Sequence, residues 1–143
     1  MERPLILIKP DAIQRGLAGT FIARLEKRGL KLVAIKMLQL NSGLAEQHYA
    51  IHRGKPFFND LVDYISSAPI VAIVFTGEKA VAVIRGLMGA TNPTEAQAGT
   101  IRGDFGLDIG RNSVHASDSA ATAEEEIRLF FPEKEIFYYP AGS

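Results

Sequence analysis

The chain has 143 residues, of which 47% are hydrophobic, so its length and composition suit a single globular domain over residues 1–143. Sixteen lysines and arginines balance sixteen aspartates and glutamates, and this zero net charge argues against an obligate nucleic-acid partner, which would require excess cations along a phosphate track. No cysteine is present, which excludes disulfides, thiolate metal sites and thiol catalysis.

The first third of the chain predicts a strand, a helix and a second strand. Residues 5–8 form a short apolar run that ends in a turn at Lys9-Pro10. Apolar residues then recur at helical spacing from Leu17 to Leu25, and Gly29 stands where a helix C-cap is expected. Residues 30–40 are rich in branched residues, with apolar side chains on both faces, as expected for a strand that helices cover on one face and a partner covers on the other.

The middle of the chain predicts two short helices, a strand and a longer helix. Helical spacing over residues 44–66 is broken at residues 54–56, and residues 70–75 (IVAIVF) form a continuous run that is typical of a buried strand. An amphipathic helix follows from Ala80. Residues 89–111 show no sustained period and contain five glycines, so they predict a long loop, which in a small domain is usually functional.

The last part of the chain predicts a short strand and a final helix. Residues 113–116 form an extended segment, and Thr122 begins a capping box with Glu125 three residues later. An apolar stripe then runs from Ala123 to Phe130. Helices that alternate with a few strands indicate an α+β fold, an α/β sandwich in which helices pack on one sheet.

Three histidines are candidates for chemistry. His48 and His52 stand four residues apart, which is a metal-pair spacing, but without a third ligand they are interpreted as a surface or half-buried pair. His115 lies in the polar segment NSVHASD just before the final helix. Two interpretations of it fit: a histidine at a strand end followed by turn residues, or an imidazole that acts as a nucleophile or general base.

A nucleophilic histidine needs an acceptor on its second ring nitrogen, which fixes the tautomer. The final helix offers three consecutive glutamates at positions 124–126. At about 100° per residue, Glu125 points away from the apolar stripe, whereas Glu124 and Glu126 flank it. Periodicity therefore leaves two candidates for the acceptor. Acids in a first helical turn are also explained by the helix dipole alone.

Cations stand at the ends of three predicted elements, namely Lys9, Arg85 and Arg102. Each alone fits a solvated surface charge. Together with a histidine they would suit a polyphosphate, because such groups and Mg²⁺ neutralise the charge on transferring phosphoryl oxygens. The sequence contains no G-x-x-x-x-G-K-[ST], so a Walker-type phosphate site is excluded.

Five motifs in order along the chain resemble those of nucleoside diphosphate kinases. They lie in the tracts LIKPDAIQRG, HYAIHRGKPFF, GATNPTEAQAGTIRGDF and GRNSVHASD, the last of which carries the family signature N-x-x-H-[GA]-S-D. The resemblance covers essentially the whole chain. It implies a ferredoxin-like βαββαβ core, with an antiparallel sheet covered by helices and with the glycine-rich loop at 89–111 as an insertion.

The resemblance implies ping-pong transfer of the γ-phosphate of a nucleoside triphosphate to a nucleoside diphosphate, through a phosphohistidine on His115. Broad base and sugar specificity is expected, because apolar contacts to the base read no hydrogen-bonding edge. Mg²⁺ is expected to arrive on the nucleotide phosphates, with no metal ligand from the protein. The family also implies a homo-oligomer, either a hexamer or a tetramer built from dimers.

Residue roles follow from the resemblance as well. Glu126, rather than Glu124, aligns with the acid that hydrogen-bonds the histidine. Ser117 supports that acid, and Tyr49 lies beside the histidine and the γ-phosphate. The implied nucleotide contacts are Lys9 and Asn112 at the ribose 3′-hydroxyl, Arg85, Thr91 and Arg102 at the phosphates, and Phe57, Leu61 and Ile109 at the base.

Two residues depart from the family pattern. Ala116 replaces the commoner glycine after the histidine, which requires that this position not need a positive φ. Ile51 stands where many relatives carry an acid, with little expected consequence for catalysis.

The longest uncharged stretch is too short for a bilayer, so we expect no membrane association and a cytoplasmic location. The rival functions are a catalytically silent nucleotide-binding or interaction protein on the same fold, and a ferredoxin-like RNA-binding module.

Overall fold

The computed structural model describes residues 1–108 and 111–140. Its four strands form one antiparallel sheet in the order β2-β3-β1-β4, which is the ferredoxin-like arrangement that the family resemblance implies. The strands are β1 (Leu5–Ile8), β2 (Lys31–Leu38), β3 (Ile70–Thr76) and β4 (Val114–Ala116). The strands β1 and β3 lie at the centre, and all of their residues are buried.

Seven α-helices accompany the sheet within the described residues. They are α1 (Pro10–Gln14), α2 (Ala18–Lys27), α3 (Ser42–His48), α4 (Phe58–Ser66), α5 (Ala80–Met88), α6 (Ile101–Phe105) and α7 (Ala120–Phe130). Short 3-10 turns occupy Ala50–His52, Pro93–Glu95 and Glu133–Glu135. None of the helices in residues 1–108 and 111–140 has the length and apolarity needed to cross a membrane.

Helices cover both faces of the sheet, which explains why β1 is apolar without alternation. Leu5 and Leu7 lie in one core cluster with buried residues of α3, α4 and α7. Ile6 and Ile8 lie in the other cluster with buried residues of α1, α2, α5 and α6. Val114 and Ala116 of β4 lie in the second cluster as well. The packed core therefore supports both the carboxyl end of β1 and β4, where Lys9 and His115 lie.

Three local predictions were wrong. The final helix begins at Ala120 rather than near Thr122, because the Ser119 side chain accepts a hydrogen bond from the Thr122 amide and caps the helix earlier. The loop at 89–111 contains α6, which the sequence did not predict. The turn after β1 is in fact the short helix α1, with Pro10 in its first turn, where its missing N–H costs nothing.

Candidate active site

His115 lies in the middle of β4, opposite Leu7 of β1, and its side chain faces α7. Its Nε2 is 2.7 Å from Oε2 of Glu126 on that helix. The other carboxylate oxygen, Oε1, accepts a hydrogen bond of 2.5 Å from the Ser117 hydroxyl. Ser117 is fully buried, and its hydroxyl oxygen accepts from the Leu5 amide at 3.0 Å. The sheet thereby fixes the serine, the serine fixes the glutamate, and the glutamate fixes the imidazole.

Glu126 is held as a carboxylate. Burial alone would raise its pKa, but hydrogen bonds from His115 and Ser117 outweigh that effect and leave the pKa below its usual value. An ionised carboxylate can only accept, so Nε2 of His115 carries the proton and Nδ1 keeps its lone pair. Glu124 faces elsewhere, in an ion pair of 2.7 Å with Arg3.

Lys9 follows β1 directly and is buried. Its ammonium donates a hydrogen bond of 2.9 Å to Oδ1 of Asn112, and the Asn112 amide group donates one of 3.0 Å to the Thr91 carbonyl. Burial, followed by the positive charge of Arg102, lowers the pKa of Lys9 to about 8. A buried ammonium has lost its hydration, so an anionic ligand beside it would stabilise its charged form.

A tight turn between Asn112 and Val114 aims the residues that precede the histidine. Ser113 has a φ of 75°, and the Val114 amide donates to the Asn112 carbonyl at 2.9 Å, which is a γ-turn. The Ser113 hydroxyl donates at 2.8 Å to buried Asp11, which also accepts a hydrogen bond from the Tyr64 hydroxyl. Sequence reasoning missed the roles of Asp11, Ser113 and Tyr64 in this turn, although Asp11 lies within the IKPD motif.

Two arginines lie near the start and end of β4. Arg102 of α6 is buried, and its guanidinium donates to the carbonyls of Gly89 at 3.0 Å and Val114 at 2.7 Å. Burial, followed by the charge of Arg85, lowers the pKa of Arg102 to about 10. Arg85 of α5 is exposed and pairs with Asp118 at 3.0 Å. Cationic groups therefore flank the strand that carries the histidine.

His48, the last residue of α3, packs against His115, and Tyr49 follows it in the chain. The ring centroids of His48 and His115 are 4.7 Å apart and the rings meet edge-to-face. Neither ring nitrogen of His48, nor the Tyr49 hydroxyl, has a hydrogen-bond partner in the described part of the chain. Burial, and next His115, lowers the pKa of His48 to about 3, so its ring is neutral. The sequence interpretation of His48 and His52 as a surface or half-buried pair agrees with their burial. It did not include the contact of His48 with His115, for which the HYxxH motif was the available signal.

Two of the three residues predicted to contact the base, Phe57 and Leu61, lie in the described part of the chain. Phe57 is 44% exposed, with the His52 ring packed edge-on at 5.3 Å. Leu61 is partly buried and packs against the core cluster behind it. Ile109 lies outside the described residues. Ala116 satisfies its requirement, since the non-glycine residues with positive φ in the described chain are Lys79 and Ser113.

Comparison with known proteins gives this arrangement its family. The sequence model of the family described as "Nucleoside diphosphate kinase" matches residues 2–136. The chain belongs to the nucleoside diphosphate kinase family. It is 62% identical over 136 residues to a nucleoside diphosphate kinase of Archaeoglobus fulgidus, covering 95% of this chain and 90% of that protein. It is 59% identical to one of Methanothermobacter thermautotrophicus over 97% of this chain and 93% of that protein.

Solved structures of nucleoside diphosphate kinases agree with the fold. The enzyme of Halobacterium salinarum in complex with CDP superposes with a TM-score of 0.96 at 45% identity, covering 98% of this chain and 93% of that one. A family protein of Babesia bovis superposes with a TM-score of 0.95 at 44% identity, covering 99% and 95%. This chain is thus a nucleoside diphosphate kinase and a nucleotide-binding phosphotransferase, as the resemblance of its motifs predicted.

Proposed function

We propose that this nucleoside diphosphate kinase transfers the γ-phosphate of a nucleoside triphosphate to a nucleoside diphosphate through Nδ1 of His115. One observation carries the proposal: Nε2 is bound to the ionised Glu126, so the nitrogen left with a lone pair is Nδ1. Such an imidazole is a nucleophile with a fixed tautomer.

In the first half-reaction, Nδ1 forms a bond to the γ-phosphorus while the bond from that phosphorus to the β–γ bridging oxygen breaks. The leaving nucleoside diphosphate keeps the electron pair. The ring retains its proton on Nε2, so the positive charge that develops lies against the Glu126 carboxylate. In the second half-reaction, a terminal oxygen of another diphosphate attacks the phosphohistidine, and the same site serves both nucleotides.

The cations around β4 supply the charge for this transfer. Arg102 and Lys9 are buried and desolvated, and we propose that they bind the phosphates, with Arg85 exchanging its exposed partner Asp118 for a phosphate oxygen and Thr91 adding a hydroxyl. Lys9 and Asn112, already joined at 2.9 Å, are proposed to contact the ribose 3′-hydroxyl. The hydroxyl of Tyr49, buried without a partner in the described residues, is proposed to face the γ-phosphate.

Mg²⁺ is proposed to enter on the nucleotide. Mg²⁺ prefers oxygen ligands in octahedral geometry, and a single carboxylate does not supply such a set. Glu126, the carboxylate that contacts His115, already binds His115 and Ser117. A triphosphate with one Mg²⁺ carries a charge of about −2, which the three cations of the site can meet. When bound, the metal would neutralise β- and γ-phosphate oxygens.

Base contacts are proposed for Phe57, Leu61 and Ile109. The exposed ring of Phe57 offers a flat apolar face, and flat apolar contact discriminates poorly between bases. We therefore propose broad nucleotide specificity, which rests on the sugar and the phosphates that all substrates share.

The edge of the sheet formed by β2 indicates how copies of the chain would assemble. β2 is an edge strand of the sheet, and Ile35 and Met37 on it are 48% and 62% exposed. Exposed apolar residues on an edge strand favour pairing with another copy, so we propose a dimer-based hexamer or tetramer. We further propose that residues 1–143 act as one domain and that the protein lies in the cytoplasm. A chain without cysteine forms no disulfide, so it needs no oxidising compartment. Light scattering on the eluted protein measures the oligomer.

The test of the proposed chemistry is labelling with ATP that carries the label on its γ-phosphate. The protein should take up acid-labile, alkali-stable label and pass it to any added nucleoside diphosphate. His115→Ala should take up none, while the matched variant His52→Ala should still be labelled. Label that persists in His115→Ala would refute the assignment, and no label in the wild-type chain would favour a silent nucleotide-binding protein.

A further inference from the structure

Three potential metal ligands from three elements meet beside β4. One ring nitrogen of His48, one of His115 and one carboxylate oxygen of Glu126 all lie within 4.8 Å of one another. The proposed phosphoryl transfer uses the histidine of β4 and the glutamate of α7. It gives no task to His48, whose ring lies edge-on against that of His115 with centroids 4.7 Å apart.

The ring nitrogens of His48 have the properties expected of metal ligands. Both of its ring nitrogens are buried and lack a hydrogen-bond partner in the described part of the chain. Leaving a buried polar group unpaired costs about 1–3 kcal/mol, so an unpaired imidazole next to the reacting group calls for an explanation. Its ring is neutral and keeps a lone pair, which is the form in which histidine binds metals.

We propose that His48, His115 and Glu126 form an inhibitory site for a divalent transition metal of the Zn²⁺ type. This inference rests on the proposed role of His115. Two histidines and one glutamate, with a fourth position left to solvent, are a common zinc ligand set. Zinc–ligand bonds of 2.0–2.1 Å in tetrahedral geometry place ligand atoms about 3.3 Å apart. The Nε2–Oε2 pair, now 2.7 Å apart, therefore needs to open slightly, while the ring nitrogen of His48, within 4.8 Å of both atoms, needs to move closer. Nitrogen ligands also select against Mg²⁺, which the reaction itself uses.

Metal binding would switch the tautomer of His115. The ring nitrogen next to Glu126 is Nε2, at 2.7 Å, so the metal takes that nitrogen and the carboxylate together. The proton on Nε2 then moves to Nδ1, with no net release of protons. Nδ1 loses its lone pair and can no longer attack phosphorus. Lys9, whose charge is felt at His48, favours an anion such as chloride as the fourth ligand.

Zinc binding to the nucleotide-free, full-length chain tests the site directly. A chromophoric chelator competes for Zn²⁺ with the wild type, His48→Gln, Glu126→Gln and the control His52→Gln. We expect one tight equivalent in the wild type and in the control. Losing a residue that merely orients a metal ligand costs about 10- to 100-fold in affinity, so each of the other two variants should bind at least about tenfold more weakly. No tight equivalent in the wild type, or equal affinity in all four proteins, would overturn the proposal.

The consequence for the reaction is tested separately. With Mg²⁺-ATP in excess, one equivalent of Zn²⁺ should slow uptake of γ-label by the wild type, and a chelator should restore it. His48→Gln, measured in the same solution, should be labelled at a rate that zinc does not change. This comparison separates zinc that is bound to the protein from zinc that is bound to ATP. Nitrogen NMR of the wild type should show the His115 proton on Nδ1 when zinc is bound. A proton that stays on Nε2 would refute the switch, whereas failure of labelling without zinc would instead refute the proposed function.

Discussion

Replacing Glu126 with glutamine isolates the contribution of the acceptor behind the nucleophile. The substitution keeps the size of the side chain and removes its charge. A hydrogen bond to a charged group contributes about 1.5–3 kcal/mol, compared with about 1 kcal/mol for a neutral one. The 2.7 Å contact to Nε2 is of the charged kind, because the carboxylate is ionised. The positive charge that develops on the ring would lose most of this stabilisation in the transition state.

The expected size of the effect follows from that range. The difference between a charged and a neutral hydrogen bond, about 0.5–2 kcal/mol, corresponds to a rate lower by about 2- to 30-fold. The amide nitrogen of glutamine can also donate to Nε2, which favours the tautomer with its proton on Nδ1 and lowers the rate further. Binding of ATP should change little, since Glu126 is proposed to contact no part of the nucleotide.

Rapid-quench measurement of the first half-reaction is the assay, with Glu124→Gln as the matched control on the same helix. Glu124 pairs with Arg3, and its side chain is 40% exposed, so its loss should cost less than about 1 kcal/mol of stability and leave the rate within twofold. Equal slowing of label uptake in both variants would refute the reasoning, because the distance to His115 would then not matter.

Three further predictions concern charge, packing and the base. The pKa of Lys9 falls from 10.5 to about 8 on folding, so the unfolded chain binds the extra proton between these values and stability rises with pH there. Urea unfolding should show a gain of about 2 kcal/mol from pH 8 to about pH 9.5, absent in Lys9→Met. A Cβ at Gly103 would lie 2.0 Å from a backbone oxygen, so Gly103→Ala should lower the melting temperature, whereas Gly19→Ala, with open space, should not. Phe57→Ala should raise KM for ATP, GTP and CTP by similar factors in steady-state assays, and a change confined to one base would contradict flat apolar stacking.

The sequence predicted β1 and β3 well because both are apolar runs that helices bury on both faces. Within β3, all seven residues are buried, so no polar position interrupts the pattern. The start of α7 was placed too late because Thr122 and Glu125 spell a capping box, while Ser119 has no acid three residues later. Helix α6 escaped prediction because it is five residues long with Gly103 in it, and only the close approach of the backbone explains that glycine.

Site residues were harder to predict where their partners are distant in sequence. Helical periodicity left Glu124 and Glu126 equivalent, and the family resemblance chose between them. In the structure, Glu124 binds Arg3, whereas Glu126 binds His115. Arg3 is 121 residues from Glu124 in the sequence, so helical spacing within α7 could not predict that pair. His48 was missed for a similar reason, because its neighbour His115 lies on another element and no pattern within α3 indicates the contact.

The precision of this site comes from a buried polar network rather than from long elements. β4 has three residues, and the residue before it, Ser113, holds a strained positive φ whose cost is about 1–3 kcal/mol. Hydrogen bonds from Ser113 and Tyr64 to buried Asp11 offset that cost. Asp11 lies two residues after Lys9, so one short segment holds the turn and also carries the ammonium that binds Asn112. The strained residue therefore lies between Asn112, a proposed 3′-hydroxyl contact, and His115, the proposed nucleophile.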